Sequence, residues 1–146
     1  MEAKQLRLDA LYIDIASRIS HMSYGRRAKV GALLVKDDTI ISHGWNGTPT
    51  GDDNNCEIEN EDGTLTTKSE VIHAELNALT KVAKNGGMGV LGSTLYITLS
   101  PCIECAKLIK QAGISRVVYR DVYRDNSGIN FLESRNVEVF HFSQKD

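Results

Sequence analysis

The sequence predicts an α/β fold, a three-layer αβα sandwich on a mixed five-stranded sheet, in one domain that spans residues 1–146. Three observations lead to this class. Helical and strand-like patterns alternate in the order α-β-β-α-β-α-β-α-β, without repeats or linkers. The first two strands are adjacent and form a hairpin, which makes the sheet mixed. A length of 146 residues is that of a single domain.

The first helix and the hairpin are predicted from apolar spacing. Apolar residues recur at three- and four-residue steps over residues 8–22, which indicates an amphipathic helix of about 18 residues that Gly25 interrupts. Residues 30–35 are almost entirely apolar, as in a strand buried on both faces. A second strand over residues 40–45 follows the polar turn 36–38.

A long polar segment, residues 47–69, separates this hairpin from the rest of the chain, and such a connection is usually functional or disordered. The helix after it should bury Leu76, Leu79 and Val82 or Ala83 and end at Gly86. The remaining elements are a strand over 95–99, a helix with Ser100 as N-cap, Pro101 as first residue and Gly113 as its stop, a strand over 116–119, a helix over 128–134 and a strand over 137–142.

Composition excludes several classes of protein. The net charge of −2 gives no support for a nucleic-acid-binding protein, and no apolar run approaches the roughly 18 residues that span a bilayer. Glu2, Asp9 and Asp14 argue against an N-terminal targeting peptide. Three cysteines, two of them in one Cys-x-x-Cys pair, suit a reducing compartment. We therefore expect a cytoplasmic protein without a nucleic-acid or membrane partner.

Three residues have the chemistry and spacing of zinc ligands: His73, Cys102 and Cys105. The two cysteines lie three residues apart at the start of a predicted helix, so their thiols should face the same side. The positive end of the helix dipole favours the thiolate form that binds metal. Three protein ligands leave one position of a tetrahedral zinc ion open, which is typical of a catalytic site.

Glu75 is the predicted acid/base residue of this site. It lies two residues after His73, so both side chains reach one site only if they straddle the start of a helix. A carboxylate there can take a proton from a zinc-activated water molecule and return it to the leaving group. An isolated Cys-x-x-Cys or His-x-Glu is weak evidence, since such pairs are often redox-active or incidental. With Pro101 they form the His-x-Glu…Pro-Cys-x-x-Cys pattern of zinc deaminases.

Two groups of sequence segments resemble a known family. His73-Ala74-Glu75 and residues 99–107 are similar to the cytidine and deoxycytidylate deaminase superfamily. Residues 26–32, 44–49 and 118–125 resemble the dCMP deaminases within it. The similarity extends over nearly the whole chain, and its compact form resembles the bacterial or phage type.

The resemblance implies both a reaction and binding residues. The reaction is zinc-dependent hydrolytic deamination of dCMP to dUMP and ammonia, which feeds dTMP synthesis. Asn46 is implied to contact the deoxyribose and base, and Arg120 and Tyr123 to lie near the phosphate, with Ser100 also in the substrate site. Some relatives carry a second, structural zinc in the long loop. Here that loop holds only Cys56, so we expect a free thiol and one zinc per subunit.

The resemblance also implies regulation and assembly. Members of the family commonly form hexamers, activated by dCTP and inhibited by dTTP, with Mg²⁺ on the effector. The candidate effector or phosphate-binding residues are Arg26, Arg27, Lys29, Gly47 and Glu70. A solvated surface is the competing interpretation of the basic residues among them. The isolated histidines are expected to be structural or surface groups: His21, His43 and His141.

Other functions remain open at this point. A nucleoside deaminase would not need the basic residues near positions 26 and 120, and a tRNA deaminase should lack the Gly-Trp-Asn-Gly-x-Pro loop. A riboflavin-pathway deaminase usually carries a reductase domain as well. A zinc-stabilised binding module without catalysis is the alternative from another class, and whether dCTP is also a substrate is undecided.

Overall fold

The computed structural model describes residues 2–143 and confirms the predicted α/β fold, with a mixed five-stranded sheet and four helices in that part of the chain. Predicted helices and strands match the observed ones to within about two residues in most cases. In chain order the elements are α1 (Ala3–Ser20), β1 (Gly31–Lys36), β2 (Thr39–Trp45), β3 (Glu57–Glu59), β4 (Leu65–Thr67), α2 (Ala74–Asn85), β5 (Thr94–Leu99), α3 (Ile103–Gln111), β6 (Arg116–Asp121), α4 (Ser127–Ser134) and β7 (Glu138–His141).

The main sheet has the strand order β2-β1-β5-β6-β7. β1 is antiparallel to both of its neighbours, β2 and β5, so the predicted hairpin is confirmed. β5, β6 and β7 run parallel, and the connections between them contain α3 and α4. Helix α3 therefore begins at the carboxyl end of the parallel strand β5, which is where ligands usually bind in such sheets.

The helices cover both faces of this sheet. Helix α1 lies on one face, where Ile13 and Ala16 pack against Leu33 and Val118. Helices α2, α3 and α4 cover the other face around a larger apolar cluster. Because both faces are covered, β1 is buried along almost its whole length, as its apolar sequence predicts.

A buried ion pair joins α1 to the sheet. The Asp9 carboxylate is fully buried and accepts two hydrogen bonds of 2.8 Å from the Arg116 guanidinium. It also accepts hydrogen bonds from Tyr96 Oη and Gln5 Nε2. Burial alone would raise the pKa of Asp9, but these hydrogen bonds, above all that from Arg116, lower it overall.

The structure corrects the predicted organisation in two places. The segment 47–69 was expected to lack regular structure, but it contains the two-stranded antiparallel sheet of β3 and β4. In α2 the predicted Leu79 and Val82 pack against the core but are only partly buried, whereas the fully buried residues are Ala74 and Ala78, which were not predicted, and Ala83 is exposed. None of the helices in residues 2–143 is long and apolar enough to cross a membrane.

Candidate active site

His73 and Glu75 meet at the beginning of α2. His73 is the N-cap residue, with extended backbone (φ −66°, ψ 154°), and its carbonyl accepts the Asn77 N–H. Glu75 is in the first turn, and its side chain is buried at 3% exposure. The change from extended to helical backbone between them lets both side chains line one cleft. This is the geometry on which the sequence-based prediction depended.

Cys102 and Cys105 lie at the beginning of α3. Cys102 is its N-cap residue (φ −71°, ψ 168°) and Cys105 is in the first turn. The prediction that Ser100 is the N-cap and Pro101 the first helical residue is wrong, because the helix begins at Ile103. Ser100 instead accepts a hydrogen bond of 2.6 Å from the Tyr123 N–H on its Oγ.

The side chains of His73, Cys102 and Cys105 converge on one point. His73 Nδ1 lies 3.1 Å from Cys105 Sγ and 3.8 Å from Cys102 Sγ, and all three ligand atoms lie within 4.8 Å of one another. Metal–ligand bonds of about 2.0–2.3 Å at tetrahedral angles separate zinc ligands by roughly 3.5–4 Å. The 3.8 Å separation lies in this range and the 3.1 Å separation slightly below it, so one imidazole and two thiols converge closely enough to hold Zn²⁺.

The ionisation of these groups is strongly perturbed. Hydrogen bonds from Cys105 and His73 lower the pKa of Cys102 to about 4, so its thiolate is the stable form near neutrality. The neighbouring Cys102 thiolate and burial raise the pKa of Cys105. Burial raises the pKa of Glu75 to about 7. Clustered, perturbed groups of this kind are characteristic of catalytic sites.

Two glycines allow the backbone segments of this centre to approach their neighbours. A Cβ at Gly44 in β2 would lie 2.5 Å from the Ala74 carbonyl oxygen at the start of α2. A Cβ at Gly128 in α4 would lie 2.0 Å from the Pro101 carbonyl oxygen, next to Cys102. Both helix starts are therefore held by contacts that only glycine permits.

The centre opens into a cleft of about 410 Å³, a volume within the range of small-molecule sites. Three of the predicted substrate residues line it: Asn46, Ser100 and Tyr123. The Asn46 amide also braces the cleft wall, because its Oδ1 accepts the Val30 N–H and its Nδ2 donates to the Ala28 carbonyl.

Arg120, the predicted phosphate-binding arginine, does not line the cleft. Its Nη1 donates to Ser17 Oγ on α1, and its other nitrogens contact the adjacent Asp121 carboxylate. It therefore lies on the opposite face of the sheet from the cleft. Arg124 and Arg27 are the arginines that line the cleft. Arg124 was missed, although it stands in the segment that the family resemblance singled out.

The predicted effector residues are dispersed. Arg27 lines the cleft, but Arg26 turns to the Glu57 carboxylate at 3.4 Å. Lys29 Nζ donates to the Ser23 carbonyl, and Glu70 is exposed and lines neither this cleft nor the cavity described next.

A second cavity of about 360 Å³ lies beside the cleft and contains Gly47. Asn46 lines both cavities. In the second one, the Lys81 ammonium lies 5.0 Å from the centre of the Trp45 ring. Cys56, whose thiol is buried, also lines it.

Comparison with known proteins places this centre in a family. A family model described as the cytidine and deoxycytidylate deaminase zinc-binding region matches residues 7–121. The deoxycytidylate deaminase of Enterobacteria phage T4 is 33% identical, over 92% of this chain and 89% of the phage protein. The Homo sapiens deoxycytidylate deaminase is 37% identical, over 79% of this chain and 66% of that protein.

A solved structure agrees with these relatives. The crystal structure of dCMP deaminase from cyanophage S-TIM5, in complex with dCMP and dUMP, matches with a TM-score of 0.87 and 43% identity, over 97% of this chain and 99% of that one. The matched region of the family model includes both helix starts at which His73, Glu75 and the two cysteines converge. The chain therefore belongs to the cytidine and deoxycytidylate deaminase family.

Proposed function

We propose that the protein catalyses hydrolytic deamination of dCMP to dUMP and ammonia, a reaction that feeds dTMP synthesis. One observation carries the proposal: His73, Cys102 and Cys105 converge on one point, and two of them, His73 and Cys102, line a single cleft together with the buried Glu75. Similarity to deoxycytidylate deaminases of phages and of Homo sapiens supports dCMP as the substrate.

The proposed metal centre holds one Zn²⁺ per chain on His73, Cys102 and Cys105. When bound, this ion lowers the pKa of a water molecule towards neutrality and so supplies the nucleophile. The remaining cysteine, Cys56, lines the second cavity and is proposed to stay a free thiol.

Glu75 is proposed to move the protons of the reaction. Its carboxylate accepts a proton from water as the water oxygen bonds to C4 of the pyrimidine, and it delivers this proton to N3. It then transfers the second proton from the new C4 hydroxyl to the amino group. The C4–N bond breaks, C4 becomes a carbonyl carbon and ammonia leaves. A pKa of about 7 suits a group that accepts and releases protons near neutrality.

The substrate phosphate is proposed to lie at the exposed rim of the cleft, between Arg27 and Arg124, with Tyr123 beside it. Arginine suits this role because its planar guanidinium donates two parallel hydrogen bonds to phosphate oxygens. Asn46 is proposed to contact the deoxyribose and base with the amide hydrogen that its bonds to the cleft wall leave free. Ser100 acts by fixing Tyr123 through its Oγ.

A substrate panel tests this function. Zinc-loaded protein is given dCMP, CMP, dCTP and deoxycytidine, and deamination is followed by absorbance and ammonia release. We expect the highest kcat/KM with dCMP, and the dCTP arm decides whether the triphosphate is also a substrate. Faster turnover of deoxycytidine would identify a nucleoside deaminase. No ammonia from any of them would leave a zinc-stabilised binding module as the better interpretation.

We further propose that triphosphates regulate the enzyme, with dCTP as activator, dTTP as inhibitor and Mg²⁺ bound to the effector. The second cavity supports this, because it contains a cation over an aromatic ring and shares Asn46 with the substrate cleft. Of the predicted effector residues, Gly47 lines it. Titrating dCTP and dTTP with Mg²⁺ at low dCMP tests the idea, which fails if neither changes the rate beyond simple competition.

The state of assembly is also a proposal. A homohexamer is the arrangement that the family resemblance implies, and large exposed apolar side chains such as Leu91 and Leu11 offer surface for it. Sedimentation analysis of the zinc-loaded protein gives its mass directly, and a monomer at micromolar concentration would contradict it. The expected cytoplasmic location is tested by fractionation of the producing cells.

A further inference from the structure

We propose that the β3–β4 hairpin is a specificity element that aims Arg27 at the cleft, with Glu57 and Thr67 as positioning residues for it. The inference rests on the proposed function, because it assigns Arg27 to the phosphate of the nucleotide substrate. The hairpin lies in the segment that showed no regular pattern in the sequence.

The backbone of residues 26 and 27 is fixed by one buried carboxylate. Glu57 is 2% exposed, and its Oε2 accepts the N–H groups of Arg26 at 2.8 Å and Arg27 at 3.0 Å. Its Oε1 faces the Arg26 guanidinium at 3.4 Å. A buried carboxylate needs such donors to offset its desolvation, so the loop and the hairpin stabilise each other.

The side chain of Arg27 is fixed by the opposite strand of the hairpin. Its Nη1 donates to Thr67 Oγ1 at 3.1 Å, and both residues line the cleft with His73 and Glu75. Glu57 and Thr67 are directly paired across β3 and β4. Paired residues project from the same face of an antiparallel sheet, so one face of the hairpin holds both the backbone and the guanidinium of Arg27.

The two neighbouring arginines therefore have different roles. Arg26 is engaged by Glu57 and by Asn55 Oδ1 on the hairpin side, whereas within residues 2–143 the Arg27 side chain has one acceptor, Thr67, and it faces the cleft. A guanidinium held in place loses less rotational freedom when a phosphate binds. The hairpin thus favours a phosphorylated substrate over its nucleoside indirectly, because it positions Arg27 and supplies no charged group to the phosphate itself.

The test uses the zinc-loaded, full-length enzyme and a conservative substitution, Thr67→Val. Ordering one long side chain costs about 0.5–1.5 kcal/mol on binding, so this variant should raise KM for dCMP roughly two- to tenfold with kcat nearly unchanged. Thr67→Ser keeps the hydroxyl group, so its KM for dCMP should stay close to that of the wild-type enzyme. Thr66→Val is the matched control: Thr66 pairs with Ile58 on the other face of the hairpin and accepts from Asn60 instead.

Two further variants separate positioning from structure. Arg27→Ala should raise KM for dCMP roughly tenfold to a hundredfold, and Thr67→Val should add nothing in that background. Glu57→Gln should raise KM for dCMP, with its folding checked by thermal unfolding. The inference is overturned if Thr67→Val leaves KM unchanged, if Thr66→Val raises it equally, or if the Arg27 and Thr67 effects add. Failure of the wild-type enzyme to convert dCMP would instead refute the proposed function.

Discussion

Gly128→Ala adds a single methyl group next to the metal centre. The new Cβ would lie 2.0 Å from the Pro101 carbonyl oxygen and 2.9 Å from the carbonyl carbons of Pro101 and Cys102. An ordinary carbon–oxygen contact is about 3.3 Å or longer. One backbone segment must therefore move by roughly 1 Å, and the atoms that obstruct the methyl group are main chain rather than a flexible side chain.

The size of the effect follows from two opposing contributions. Replacing glycine by alanine within a helix is normally stabilising by about 0.5–1 kcal/mol, and overpacking a filled site costs about 1–3 kcal/mol. Since the obstruction here is severe, the overpacking cost should exceed the gain in helix propensity. A displacement of about 1 Å at a catalytic group can lower turnover roughly a hundredfold. We therefore expect a less stable protein with weaker zinc binding and far slower dCMP turnover.

Three measurements check this expectation: elemental analysis for zinc, thermal unfolding, and kcat for dCMP with zinc in excess. The matched control is Gly89→Ala, where a Cβ would meet no atom within 4 Å. Zinc content and turnover of Gly128→Ala equal to those of the control would refute the reasoning, because Cys102 would then not depend on the close approach of α4.

Four other variants and one change of pH test separate parts of the molecule. Cys102→Ser should lose most zinc by elemental analysis and unfold at lower temperature, because metal binding is coupled to folding. Glu75→Gln should keep zinc and fold but lose about 10²–10⁴-fold in turnover, measured by ammonia release. Arg124→Ala should lower kcat/KM for dCMP roughly tenfold to a hundredfold, since charge-assisted hydrogen bonds contribute about 1.5–3 kcal/mol, and should affect deoxycytidine less. Asp9→Asn should lower the free energy of unfolding in urea by roughly 1–3 kcal/mol, because Arg116 loses its fully buried charged partner and, within residues 2–143, keeps only its ion pair with the exposed Glu138. The folded state lowers the pKa of Asp9. The contribution of Asp9 to the free energy of unfolding is therefore complete above about pH 4 and is lost as the pH falls through the pKa of the folded state. Urea unfolding across acidic pH would detect this loss.

Each of these has an outcome that contradicts it. Full zinc occupancy in Cys102→Ser would remove that residue from the ligand set, and near-normal turnover in Glu75→Gln would assign proton transfer to another group. Arg120→Ala is the matched control for Arg124, because Arg120 faces α1. An equal or larger loss of dCMP turnover in that control would restore Arg120 to the phosphate site. Unchanged stability of Asp9→Asn at neutral pH would show that the buried ion pair contributes little.

The sequence predicts the position of a helix or strand well where one physical requirement, such as burial, determines its residues. The apolar run of β1 and the spacing in α1 report burial directly, and both elements lie close to their predicted places. The convergence of His73, Cys102 and Cys105 was also predictable from the sequence, because few patterns other than that of zinc deaminases combine these donors at helix starts.

The hairpin of β3 and β4 was missed because each strand has only three residues and its outer face is exposed, so no apolar period develops. The position of Arg120 could have been deduced from the alternation of side chains along β6. Val118 packs against α1, and Arg120, two residues later, must project from the same face. Arg124 follows the end of the strand, where alternation no longer applies, so only the folded loop shows that it reaches the cleft.

Helices α2 and α3 both begin at the metal centre, and this has a consequence for how a ligand is oriented. With Zn²⁺ bound, the dication and the two thiolates would sum to zero charge, and the two helix termini, each equivalent to about +0.5 charge, would offset a negative charge on Glu75. The inner end of the cleft is then almost neutral overall, whereas Arg27 and Arg124 make its exposed rim cationic. A nucleotide has the same polarity, with an uncharged base at one end and about two negative charges at the other. Charge alone therefore favours the orientation in which the phosphate stays at the rim and the base lies at the inner end, before any specific hydrogen bond has formed.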